Sequence, residues 1–114
     1  MKSIISKPWG SYEVLEKGDT YTIKKLIVKP NGVLSLQSHE HRSEHWVVVD
    51  GEAEITLNDE IQIVKANNSV FIPIKTKHRI SNKGQINLII IEVWYGDSLD
   101  EEDIIRYEDI YNRK

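Results

Sequence analysis

Residues 32–51 read GVLSLQSHEHRSEHWVVVDG, and the spacing inside this stretch, G-x4-Q-x-H-x4-E-x6-G from Gly32 to Gly51, decides the fold. Three of the four histidines, His39, His41 and His45, lie here, with Glu40 and Glu44 among them. Imidazole and carboxylate are natural donors to zinc, iron, manganese or nickel. On a strand, residues two apart point to one face, so Gln37 and His39 project together, and His41 joins them if the strand continues. A tight turn at Arg42-Ser43 lets Glu44 return to the same place. His45 follows Glu44 directly and is expected to face away from it.

Outward from this cluster, the fourth histidine, His78, sits in a second spaced pattern, N-x5-P-x-K-x2-H-x3-N, through Asn67, Pro73, Lys75, His78 and Asn82. The rest alternates short β-rich runs with turn residues, the pattern of an all-β sandwich or barrel. Tyr21–Val28, Val33–Ser38, His45–Val49 and Ser69–Ile72 read as strands, and Pro73 ends the last of these. Glu52–Leu57 and Glu60–Val64 flank Asn58-Asp59 and predict a β-hairpin. Ile86–Tyr95 is the longest strand candidate. Ser98–Tyr111 differs in kind: Ser98 with Glu101 resembles a capping box, and Leu99, Ile104, Ile105 and Tyr107 suit one face of a short helix. A C-terminal helix or arm packed on the barrel is therefore expected.

The length, 114 residues, suits one domain over residues 1–114. A net charge of -3 without a Lys/Arg run argues against nucleic acid as a partner. The absence of cysteine excludes disulfides and thiolate metal sites. The first residues lack the apolar core of a secretory signal, and the longest apolar run is too short to span a membrane. A cytoplasmic protein is the default expectation.

The two spaced patterns resemble the paired motifs of the cupin superfamily, which is built as a double-stranded β-helix or jelly-roll barrel. Gln37 stands where the first motif usually has histidine, and Asn67 and Lys75 replace the two glycines of the second. Asn tolerates left-handed backbone, whereas Lys75 implies an altered turn. LSLQSHEHRSEHWVVVDG, KPWGSYEVL near the start and DIIRYEDIYNR at the end together resemble the cupin domain of type II phosphomannose isomerases. That domain is commonly fused to a mannose-1-phosphate guanylyltransferase, and this chain looks like a stand-alone version of the isomerase part.

The resemblance implies a metal held by Gln37, His39, Glu44 and His78, with three ligands on one β-hairpin and the fourth on a neighbouring strand. Zinc is expected first, with manganese, iron or nickel as alternatives, and His41 is the rival to Gln37. It further implies interconversion of mannose 6-phosphate and fructose 6-phosphate. A base must then move a proton between C2 and C1, and His41, His45, a lysine such as Lys25, or Glu92 all qualify. Arg42, Lys77 and Arg79 flank the ligands, and Arg42 is the preferred phosphate partner because a guanidinium binds bidentately. Arg106 in the tail and Trp9, Trp46 and Trp94 are further candidates to line the site. Other readings are a metal-dependent oxygenase, a metal-free epimerase, or a module that binds sugar phosphate without turnover. A homodimer is expected from the frequency of dimers among cupins.

Overall fold

The computed structural model describes residues 3–111. Eleven strands follow in order among them: β1 (Ile4–Lys7), β2 (Gly10–Lys17), β3 (Tyr21–Val28), β4 (Leu36–Ser38), β5 (Arg42–Asp50), β6 (Glu52–Leu57), β7 (Glu60–Lys65), β8 (Ser69–Ile72), β9 (His78–Ser81), β10 (Leu88–Gly96) and β11 (Ile105–Glu108). They form a six-stranded sheet in the order β1-β2-β3-β10-β5-β8 and a five-stranded sheet in the order β11-β4-β9-β6-β7. This is the antiparallel jelly roll, and its inner faces supply the core. Val28, Val48, Ala53, Ile55, Ile72, Ile80, Leu88 and Ile90 are all buried between the sheets.

Period-2 alternation builds the inner wall. On β3 Thr22, Lys24, Leu26 and Val28 are buried while Tyr21, Ile23, Lys25 and Ile27 lie partly exposed on the outside. On β10 Leu88, Ile90, Glu92 and Trp94 point inward. Three turn asparagines adopt left-handed backbone, Asn31 (φ 68°), Asn58 (φ 53°) and Asn67 (φ 71°), as their short polar side chains allow. Asn58 closes the expected β6–β7 hairpin, whose register runs from Leu57↔Glu60 to Glu52↔Lys65. Lys75 also sits at φ 64°, so the turn keeps its glycine-like backbone with a lysine in it, and the Lys75 N–H reaches the His39 carbonyl at 2.7 Å. Asn82 is a structural residue: its amide donates to the carbonyls of Val28 and Ile86 at 2.8 Å and accepts from the Gly84 N–H. It pins the loop ahead of β10, which starts at Leu88 rather than Ile86.

One expectation is narrowed and one corrected. Of the helix or arm expected at the C-terminus, the acidic tail forms the arm. Residues 97–104 form an irregular strap, and β11 then adds an antiparallel edge to β4, with Arg106 opposite Gln37. Its backbone is used for short turns, Asp103 N–H to the Asp100 carbonyl and Ile104 N–H to the Glu102 carbonyl. Gln37 to Glu44 do not form a hairpin. β4 and β5 belong to different sheets, so the chain crosses the barrel between them, with His39–His41 at the corner. Gly96 permits this corner, because a Cβ there would stand 2.1 Å from the His41 carbonyl oxygen.

Candidate metal centre

His39, Glu44 and His78 converge although they come from the corner, β5 and β9: their candidate ligand atoms all lie within 4.8 Å of one another, and all three residues are buried. His39 Nε2 is 3.2 Å from Glu44 Oε2, and the two imidazole centroids are 4.9 Å apart. His39 Nδ1 contacts the Asp103 carbonyl at 2.7 Å and His78 Nδ1 the Thr76 carbonyl at 2.9 Å. A carbonyl only accepts, so each Nδ1 carries the proton and each Nε2 keeps its lone pair. Burial pushes both imidazoles toward the neutral form, His39 down to about 4.

Glu44 is fully engaged. Its Oε1 accepts from Trp46 Nε1 at 2.8 Å and its Oε2 from Arg42 Nε at 2.9 Å. Burial alone would raise its pKa, but His78, the permanent charge of Arg42, His39 and the Trp46 indole outweigh it and hold the carboxyl below its usual range. Arg42 Nη2 also donates to His39 Nε2 at 3.2 Å. Gln37 lines the same cavity and is the cross-strand partner of His78. Its amide nitrogen is committed to Ser35 Oγ at 3.1 Å, which leaves the amide oxygen as its available donor atom.

These residues fit a divalent metal. Two neutral imidazoles, a carboxylate and an amide oxygen are donors for zinc and its first-row neighbours. Two donors bound to one ion at ~2.1 Å lie at most ~4.2 Å apart, so only a small closing movement separates this arrangement from coordination. The Arg42 bond to His39 is the contact a cation would take over.

The remaining candidates divide. Arg42 belongs to the site, stacked on the Trp94 ring at 3.3 Å. Its guanidinium is committed to the ligands themselves, so it lies at the metal end rather than free for a phosphate. His41 does not reach the cavity: its side chain is 57 % exposed and 3.6 Å from Asp97. It is therefore neither rival ligand nor buried base. Lys25 does not reach the cavity, because the alternation of β3 turns it outward and Lys24 in. His45 faces outward as expected and stacks on Phe71 at 4.6 Å. Trp46 is buried in the core, lines the cavity and makes a T-shaped contact with the His78 ring. Lys77 lies over the Tyr107 ring, and Arg79 is held by the Leu34 carbonyl and Glu108. Arg106 lines the cavity, and its buried Nε has no hydrogen-bond partner among the described residues.

Several contributors carried no signal in the sequence. Lys24 is 4 % exposed, stacked on Tyr12 at 4.2 Å and Trp94 at 3.8 Å, and paired with Glu101 at 2.8 Å. The strap supplies more: Asp103 accepts from the N–H groups of Glu40 and His41 at 2.9 Å, and the Asp100 carbonyl accepts from Arg42. Glu101 and Asp103 thus tie the strap to both sides of the cavity. Glu92, by contrast, was among the sequence's base candidates: it is buried on β10 and accepts from Trp94 Nε1 at 3.0 Å.

Comparison with known proteins agrees with this picture. The chain is 45 % identical over 109 residues to the xanthan biosynthesis protein XanB of Xanthomonas campestris, and 48 % identical over 109 residues to the alginate biosynthesis protein AlgA of Pseudomonas fluorescens. Each match takes in 96 % of this chain and 23 % of the relative. It is 44 % identical to the mannose-1-phosphate guanylyltransferase ManC of Salmonella typhimurium, again over 23 % of that protein. The chain therefore spans about a quarter of the length of these curated relatives. In three dimensions it is similar to the RmlC-like cupin of Shewanella frigidimarina (TM-score 0.76, 18 % identity, 90 % of this chain and 88 % of that one). It is also similar to the capsular polysaccharide assembling protein CapF of Staphylococcus aureus (TM-score 0.80, 23 % identity, 96 % and 32 %). These likenesses establish the cupin fold. Residues 1–109 match the family described as mannose-6-phosphate isomerase C-terminal, and the chain belongs to that family.

Proposed function

We propose that this cupin is the isomerase part of a polysaccharide-precursor pathway, interconverting mannose 6-phosphate and fructose 6-phosphate at one divalent metal, with zinc as the first candidate. The observation that carries this reading is the convergence of two neutral imidazoles and Glu44 within 4.8 Å in a cavity that also holds the unpartnered guanidinium nitrogen of Arg106.

Gln37, His39, Glu44 and His78 would hold the ion. Bound there, it supplies a Lewis acid that polarises the carbonyl of the open-chain sugar. Arg42, beside Glu44 and His39, places a permanent positive charge where oxyanion character develops. Arg106, opposite Gln37 on β11, offers a buried donor for the phosphate. The strap braces the metal side of the cavity through the Asp103 and Asp100 carbonyls, which hold His39 and Arg42. The product serves GDP-mannose supply, consistent with the biosynthetic names of the relatives. The homodimer expectation is carried by the outer face of the six-stranded sheet, where Val47, Val49 and Phe71 are exposed. Light scattering tests it.

The deciding experiment is a coupled assay of mannose 6-phosphate isomerisation on metal-loaded and chelated protein. Turnover with metal and none after chelation is expected, and His78→Ala should lose its metal by elemental analysis. Binding of mannose 6-phosphate without turnover in either state would replace the isomerase with a sugar-phosphate binding domain.

A further inference from the structure

We infer that Glu92 is the catalytic acid–base, its carboxyl carrying the proton between C2 and C1 of the open-chain sugar. This assignment rests on the isomerase reading above. Glu92 lines the same cavity as the His39–Glu44–His78 cluster but is not part of that cluster. Trp94 Nε1 donates to its Oε1 at 3.0 Å, which leaves Oε2 available to the cavity. Glu44, on the adjacent strand, has both oxygens occupied and no such freedom.

The other candidates are eliminated by position. His41 and His45 lie outside the cavity, and Lys25 points outward. Lys24 faces inward, but its ammonium is already held by Glu101 and stacked on Tyr12 and Trp94. It is also the ladder partner of Glu92, where its ammonium works weakly against the burial that raises that carboxyl's pKa. Burial, with the Glu44 charge nearby, pushes the Glu92 carboxyl up to about 8, close to the range in which a group both takes and returns a proton.

The step balances without a further reactant. Glu92 takes the C2 hydrogen as a proton. The C2–H electron pair becomes the C1=C2 double bond, and the C1=O π pair moves to O1. The hydroxyl proton passes from O2 to O1. The O2 lone pair then forms C2=O while the double-bond pair takes the proton back from Glu92 at C1.

The test compares wild type with Glu92→Gln, whose amide oxygen still accepts from the Trp94 indole. Four quantities are measured: bound metal, calorimetric binding of mannose 6-phosphate, turnover, and exchange of the C2 hydrogen with deuterated solvent. Metal and binding should persist while kcat and exchange both fall by at least about 10²-fold. E92Q that exchanges and turns over like wild type overturns the assignment alone. A wild type that does neither overturns the isomerase reading, and the assignment with it. If E92Q does not fold, Glu92→Asp decides. Exchange reduced with binding retained supports Glu92, and exchange at the wild-type rate overturns it.

Discussion

Two neighbouring strands carry the same short pattern, Glu44-His45-Trp46 on β5 and Glu92-Val93-Trp94 on β10, and in each the indole donates to the glutamate two residues before it. The ladder sets them side by side, with Trp94 opposite Glu44 and Glu92 opposite Trp46. Their chemistry nevertheless diverges. Glu44 gains Arg42 and the imidazoles and is held as a carboxylate, whereas Glu92 has burial and a like charge beside it and is pushed up to about 8, where it can both take and return a proton. Local sequence fixes the hydrogen bond, while the third dimension fixes the charge. Carboxyls whose environments push them in opposite directions are the usual signature of divided acid, base and ligand roles.

The sharpest way to break this contrast is Glu44→Gln. It removes a metal donor and strips Arg42 of its buried counter-charge, so it should cost about 3–5 kcal/mol in denaturant unfolding and abolish metal retention. A variant as stable and as metal-rich as wild type would show that the pair is not what separates the two glutamates.

Glu92 is tested by pH. Its folded pKa lies above its unfolded value, so the fold holds a proton that the unfolded chain releases. That stability is fully present below the unfolded value of 4.5 and is lost as pH rises to about 8. The slope reaches at most one proton, about 1.4 kcal/mol per pH unit. Glu92→Gln should flatten it in urea titrations across this range. An unchanged slope would place the ionisation elsewhere.

A finer comparison swaps the indoles. A hydrogen bond to a charged acceptor contributes about 1.5–3 kcal/mol and one to a neutral acceptor about 0.5–1.5. Trp46→Phe should therefore destabilise more than Trp94→Phe by roughly 1 kcal/mol, and equal losses would argue that both carboxyls carry the same charge.

The smallest effect is expected from Asp103→Ala, about 1 kcal/mol at neutral pH. Burial works against this carboxylate, but the N–H groups of Glu40 and His41, with His39 and His41 nearby, together outweigh it and hold the pKa low. Its contribution is present above the unfolded value of 3.8 and fades as pH falls through the folded one. Because Asp103 braces the His39 corner, the variant should weaken metal binding while leaving the Glu92 pH slope intact.

The barrel was legible because turn chemistry and spacing agree: Asn58 at the hairpin, Pro73 at a strand end, and His78 at a fixed distance from Pro73 and Asn82. The inward lysine was not. In β3, Ile23 and Leu26 are apolar at opposite parities, since the outer face of this sheet is itself half-buried, so alternation did not say whether Lys24 or Lys25 faces in. The choice between helix and arm for the tail was open for a different reason. Ser98, Glu101 and the spaced apolar residues suit a helix locally, but the site uses this backbone otherwise: the Asp103 carbonyl orients His39 and the Asp100 carbonyl holds Arg42. Only the folded barrel creates that demand.

The carbonyl of Asp103 has a consequence in time as well as in space. Chains emerge from the ribosome N-terminus first, so the side chains of Gln37, His39, Glu44 and His78 are all made before the group that fixes the His39 tautomer. A nascent barrel has its donors before it has them correctly protonated and aimed. On the metal reading, secure capture of an ion would therefore be a late event of biogenesis, following the docking of residues 97–104 rather than driving collapse of the sheets.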